Sequence, residues 1–350
     1  MAVGDSALLK GLSYLGVGRE TTFGTFNTLL AGLDFISQSL KTQKDSKILD
    51  QIERSRTLSK RLHLSKQIGG EVSWYFRPLE TADCFFLHNA FGGAAVTTAT
   101  TTGETVGGGG LEHIFGVGNF TLTYSSLCIN ARKGGSTNGK TWQYHGVRVE
   151  ELTISAAVDE PVMCAASLVC RDSTLVSSNI ESQLTATSNP ILSFVDGRVS
   201  VETNFASLTT SSLWHVQSVE FKVKNNLKTG SESRRIGTDI LTVLPPGLQN
   251  YELSMNIRFD TTTAWDAMIA ATKLAAELEF LGPTISGSVA RQGLLLEFQK
   301  LYVKDAGDPE VSGPDGILTS QVTFDVLRDE SASGYAVRAT VTNNITSFAN

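Results

Sequence analysis

Three short segments recur in the same order in the two halves of this chain. A repeat of that kind restricts the fold more than composition does. Glu71-Val-Ser-Trp-Tyr-Phe-Arg-Pro78 is echoed by Glu252-Leu-Ser-Met-Asn-Ile-Arg-Phe259, with Glu, Ser and Arg at one spacing and apolar residues between them. Phe35…Leu40-Lys41-Thr42 is echoed by Phe221…Leu227-Lys228-Thr229, and Leu168-Val-Cys-Arg171-Asp172 by Asp325-Val-Leu-Arg328-Asp329. The shared order implies a duplicated domain, residues 1–185 and residues 186–350, joined near the Ser-, Thr- and Asn-rich stretch 173–195. Each half, at about 170 residues, is long enough to bury a core of its own.

The local patterns are those of strands. Residues 9–40 alternate apolar and polar side chains in short runs, and Glu71 to Arg77 reads as a strand that Pro78 ends, because proline cannot donate to a ladder. A short helix follows, with Ala82, Phe85, Phe86 and Ala90 on one face and Gly92 closing it. The second half repeats this plan, with Asp260 as a cap and Trp265, Met268, Ile269 and Thr272 sharing a face. Residues 92–110 form a Gly- and Thr-rich loop ending in four glycines, and the second half lacks its equivalent. Between residues 111 and 172 strands are expected at Thr121–Tyr124, Tyr144–Val149, Leu152–Val158 and Val162–Cys170. Residues 41–68 are charged and poor in Gly and Pro; a helix, a long β-hairpin and a disordered arm all remain open there.

Charge narrows the function. The net charge is −6, so bulk attraction to nucleic acid is excluded. From Lys41 to Lys66, eight basic residues face three acids, a local +5 that leaves −11 on the remainder. A basic arm on an acidic body reads either as a device for self-association, with Arg54, Arg56, Lys60 and Arg61 as its candidate contact residues, or as a solvated basic loop. The four cysteines (Cys84, Cys128, Cys164, Cys170) form no C-x-x-C pair, so buried free thiols are expected. The N-terminus has no basic region followed by an apolar core, and no apolar run approaches the ~20 residues needed to cross a membrane. Synthesis and retention in a cytoplasm until assembly are therefore expected.

No motif carries chemistry convincingly. Gly134-Gly-Ser-Thr-Asn-Gly139-Lys140-Thr141 matches G-x-x-x-x-G-K-[ST], but a phosphate cradle needs a helix after it, and Trp142 to Val149 is rich in β-formers. It reads as a hairpin connection. The five histidines are dispersed, and Glu150-Glu151 on an alternating strand would face opposite sides. The acidic loop 305–315 lacks the spacing of a calcium loop, and no G-x-S-x-G is present. These residues point away from an enzyme and call for no cofactor or metal.

Four stretches together resemble the bacteriophage tail tube family, of the kind found in long-tailed phages. Gly18-Arg19-Glu20-Thr21-Thr22-Phe23-Gly24-Thr25 resembles that family's opening, and Gly70 to Pro78 its strand ending in Arg-Pro. Tyr144-His-Gly146-Val-Arg148-Val-Glu-Glu-Leu152-Thr-Ile-Ser155 is similar to its central stretch. Val219 to Leu227 is similar to a further one, with two serines replaced. The resemblance spans nearly the whole chain and implies a mainly β fold: two tandem tail-tube-type β-sandwich or half-barrel domains, each with one short helix. It implies rings whose inner strands close into a barrel, six domains per ring, hence a homotrimer with pseudo-sixfold symmetry for a duplicated chain. The rings stack into the tail tube of the virion, around a tape measure protein and between tail terminator and distal tail proteins. Double-stranded DNA passes through the lumen unbound. The different class to weigh against it is a duplicated β-sandwich module that binds a glycan or receptor through exposed aromatics; Trp74, Trp142, Trp214 and Trp265 are expected in the core instead.

Overall fold

The computed structural model describes residues 10–27, 31–49, 60–99, 110–117, 126–134, 139–177, 189–208, 213–288, 290–307, 317–331 and 334–345. Its strands fall into two series. The first holds β1 Tyr14–Arg19, β2 Ala31–Leu33, β3 Ser37–Gln38, β4 Lys41–Ile48, β5 Arg61–Tyr75, helix α1 Thr81–Phe91, β6 Gly92–Ala99, β7 Leu111–Val117, β8 Leu127–Lys133, β9 Lys140–Ala157, β10 Met163–Val169 and β11 Asp172–Val176. The second holds β12 Gly197–Glu202, β13 Val216–Lys224, β14 Asn250–Arg258, helix α2 Thr263–Ile269, β15 Leu274–Thr284, β16 Arg291–Ala306, β17 Thr319–Val326 and β18 Val337–Asn343. The protein is thus mainly β with two short helices.

The strands of the two series pair in one order. In the first the antiparallel path runs β4, β5, β10, β9, β8, β1. In the second it runs β13, β14, β17, β16, β15, β12. The paths join where β13 pairs with the C-terminal half of β9, Ser218–Lys224 against Glu151–Ala157. A second seam runs through β18, which lies between β16 and β7, with β6 beyond.

Alternation builds the core. On the C-terminal half of β9 and on β13, β14 and β17 every second side chain is buried, among them Leu152, Ile154, Phe221, Val223, Leu253, Met255, Val322 and Phe324. Their opposite neighbours face out, as a half-buried strand dictates. Under the first series Trp74 packs on Phe86 at 4.7 Å, and under the second Phe221 meets Phe298 edge-on at 5.1 Å. The four cysteines are buried free thiols.

The two helices differ in ways that sequence did not show. α1 is almost wholly buried and ends, as expected, on Gly92 in the left-handed region at φ 69°. α2 lies mainly over β16 and buries only Ala264 and Ala267, while Trp265 is 42% and Ile269 65% exposed. The apolar face expected around Trp265 and Ile269 is therefore the outer face. Asp260 does not cap α2: it bonds His215 Nδ1 at 2.7 Å and Arg258 Nε at 2.8 Å, and Thr262 holds the capping position. The charged stretch 41–68 is a long hairpin over the part described, β4 against β5. Thr121–Tyr124 lies outside the described residues.

Inside the first core Trp74 Nε1 donates to Asp83 Oδ1 at 2.6 Å, and Asp83 is only 1% exposed. Burial pushes its carboxyl well above the ordinary value of 3.8, against the pull of the Trp74 bond. The folded state then holds this proton more tightly than the unfolded chain does. Its contribution to stability is full below pH ~4 and is lost as pH rises through the raised pKa. Asp83→Asn removes that term, so the wild type should lose Tm relative to the variant as pH rises above ~4. A Tm difference that does not change with pH contradicts this.

Candidate functional site

The two pairing paths make one continuous sheet, in the order β4 (with β3 ahead of it), β5, β10, β9, β13, β14, β17, β16. Its inner face is the core already described. Its outer face is small, polar and acidic. Glu71, Glu151, Glu220, Glu252 and Asp325 stand on it, together with Lys41, Lys222, Lys224 and Arg258. Ser, Thr, Ala and amide side chains fill most of the rest. Glu71 and Glu252 hold one register in the two series, opposite Ser167 of β10 and Asp325 of β17.

Lys222 and Lys224 are not free to act as a basic patch. Lys224 Nζ lies 3.7 Å from Glu151 Oε2 across the β9–β13 joint. Lys222 bonds Glu220 and faces Glu252 and Glu151, which raise its pKa. Three cations of this face, Lys222, Lys224 and Arg258, are thus paired with carboxylates.

A buried anchor fixes β9 to the N-terminal turn. Glu20 follows β1 and is fully buried; its carboxylate accepts from Gly24 N (2.7 Å), Ser126 Oγ (2.7 Å) and Gly146 N (2.7 Å). Burial raises its pKa despite these bonds and the charge of Arg171. Gly146 sits at φ 58°, and a Cβ there would meet Arg171 Cβ at 2.7 Å, so only glycine fits. Phe23 lies between two guanidinium groups, Arg148 at 5.5 Å and Arg171 at 5.6 Å. Arg171 in turn donates to Phe23 O and Leu241 O, each at 3.2 Å, and Arg148 donates to Leu244 O. The stretches around Glu20-Thr-Thr-Phe23-Gly24 and Gly146-Val-Arg148, more than a hundred residues apart in sequence, thus meet at one point and clasp the loop 241–244.

The arm is the other exposed feature. Lys60 and Arg61 lie exposed at the start of β5, with Leu49 N donating to Lys60 O at 3.0 Å; Arg54 and Arg56 lie outside the described residues. The base of the arm is tied down: Lys44 pairs with Asp239 at 3.3 Å, Lys66 with Asp172 at 3.3 Å, and Arg234 donates to Lys66 O at 3.0 Å. The role of Asp239 had no sequence signal, since its partners lie far away in the chain.

The remaining motifs carry no site. Gly134–Thr141 connects β8 to β9 with no helix after it, and the Thr141 hydroxyl is buried and takes a bond from Arg132 at 2.9 Å. Among the described residues no cluster of three or more His, Cys, Asp or Glu could hold a metal, and most of loop 305–315 lies outside them. Trp74 is buried and Trp142 and Trp214 are half-buried, while Trp265 is exposed, against expectation.

A family model described as "Phage tail tube protein" matches residues 12–326. The match takes in the Glu20 anchor, the polar sheet and both helices, and the chain belongs to that family. No curated protein matches it. It is a structural protein of a phage tail tube.

Replacing Glu20 by Ala strands two buried donors and a part-buried one, and a loss of about 3 kcal/mol is expected. Urea unfolding followed by tryptophan fluorescence checks this; an unchanged midpoint would show that the anchor is dispensable.

Proposed function

We propose that three copies of this chain, each counting as two equivalent domains (1–185 and 186–350), close into a pseudo-sixfold ring. The rings stack into the tube that conducts double-stranded DNA into the host. The observation that carries this reading is the matching pairing order of the two strand series, fused edge to edge into one sheet through β9 and β13. A sheet with an exposed end at each side is a hazard unless another chain covers it, and head-to-tail closure covers both.

The polar outer face lines the lumen. Acidic and small polar side chains on it repel phosphate, so DNA slides without adhering. The tape measure protein occupies the same space before DNA does, and tail terminator and distal tail proteins meet the two ends. The arm, with Arg54, Arg56, Lys60 and Arg61, points away from the lumen toward an acidic surface of a neighbouring ring. Assembly takes place in the host cytoplasm, and no catalysis is involved.

Two outcomes are expected. Purified protein at high concentration shows hollow tubes or rings by negative-stain electron microscopy, whereas Arg54→Gln, Arg56→Gln, Lys60→Gln and Arg61→Gln combined gives fewer and shorter tubes at low salt. Equal tube formation contradicts the stacking role of the arm, and dispersed monomers under all conditions contradict the tube. Separately, Glu71→Lys, Glu151→Lys and Glu252→Lys combined makes assembled tubes retain duplex DNA, with affinity falling steeply as salt rises. Wild-type tubes that already retain DNA would contradict a repelling lumen.

A further inference from the structure

The second strand series reaches back onto the first through the segment ahead of β12. Residues 189–196 lead into β12, yet they lie on the first series, where the chain leaves β5 and enters β10. Asn189 Nδ2 donates to Glu80 Oε1 at 3.0 Å, Leu192 N donates to Phe76 O at 3.2 Å, and Leu192 O accepts from Val162 N at 2.8 Å. Leu192 is fully buried there and belongs to the core. The segment is thus plugged into the first series by one leucine.

The matching groove of the second series is open. The echoed Glu71 and Glu252 set Phe76 in register with Ile257 and Glu80 with Thr261. Ala165 and Thr323, which face the echoed Ser73 and Ser254, set Val162 in register with Ser320. All three counterparts, Ile257, Thr261 and Ser320, line an apolar recess of about 280 Å³, together with Phe259, Trp265 and Ala306. Trp265 on its wall is exposed, whereas Cys84 at the same place of α1 is buried. A large apolar side chain turned to solvent beside an open apolar recess marks a surface that something covers. Here β14 and β17 stay paired through Ile257–Ser320 and Arg258–Thr319, whereas the β5–β10 ladder stops at Tyr75–Met163. The recess therefore has room for side chains and not for an added strand.

The chain carries one more segment of the same kind. β1 ends the first pairing path as β12 ends the second. A single 3-10 turn stands ahead of each, Lys10–Leu12 ahead of β1 and Phe194–Asp196 ahead of β12. Counted back from the two strands, Leu8 and Leu9 stand where Ile191 and Leu192 stand. Residues 1–9 lie outside the described residues. The segment ahead of β12 lies on the series before its own. In a head-to-tail ring the series before β1 is the second series of the preceding copy. We propose that residues 6–9 of one copy dock in the recess between α2 and β17 of the copy before it, with Leu8 and Leu9 filling it. The ligand of this groove is an apolar leucine pair carried by a second copy of the chain.

This inference rests on the ring reading, and the test separates the two. Ser6 and Thr261 hold the places of the bonded pair Asn189 and Glu80. Ser6→Cys with Thr261→Cys should therefore be joined by a short bismaleimide in assembled rings, and the four native thiols, being buried, do not compete. The expected product is a ladder of two- and three-chain bands on a denaturing gel, absent from each single variant. In parallel, Leu8→Ser with Leu9→Ser should raise the concentration at which rings appear about tenfold and leave the Tm of the dispersed chain unchanged. Rings by electron microscopy together with both results support the docking. Rings without a chain-to-chain link overturn it and leave the ring reading standing. A lower Tm of the dispersed Leu8→Ser, Leu9→Ser chain places the segment on its own copy and overturns it likewise. A wild type that forms no rings overturns both.

Discussion

The structure depends on one strand having neighbours on both edges along its whole length. β9 is 18 residues long, and its N-terminal half lies between β8 and β11 while its C-terminal half lies between β10 and β13. Half of its side chains feed the core and half face out, so a slip of one residue would invert both faces at once. The anchor at Gly146 fixes that register from the N-terminal turn through Glu20. From β9 outward the ladder passes to every strand of the polar sheet.

The chemistry of the molecule is consistent with a mechanical part. Two deeply buried carboxyls, Glu20 and Asp83, spend their hydrogen bonds on backbone, hydroxyl and indole donors within the fold. The thiols of Cys84, Cys164 and Cys170 are wholly desolvated, which pushes their pKa values upward and leaves them inert. What the surface offers is a broad face of compensated acidic charge and a tethered basic hairpin.

Much of this was legible in the sequence because period-two patterning is local. Val72 and Trp74, Leu152 and Ile154, and Pro78 as a strand end were all readable, as was Gly92 as a helix stop. The echo at Glu71 and Glu252 marks one register in both series. The other two echoes do not stand in that register: the ladders set Leu40 against Val223 rather than Leu227, and Leu168 against Val326 rather than Asp325. The order of strand pairing, invisible in sequence, carries the duplication better than those echoes do. What sequence missed were facts about distant partners. Trp265 looked like core, but α2 buries only Ala264 and Ala267 and turns Trp265 outward. Asp260 looked like a cap, yet His215 is bonded to it from 45 residues away. Lys44 and Lys66 looked like free members of a basic arm, and Asp239 and Asp172 hold them.

The most direct measurement is a cryo-electron microscopy reconstruction of one layer of the assembled tube, resolved well enough to count chains and trace strands. The account predicts three chains per layer, the sheet closed into one barrel, and Glu71, Glu151 and Glu252 turned toward the lumen. Six chains per layer, or a lumen lined by the opposite side of the molecule with this face buried between rings, would contradict it.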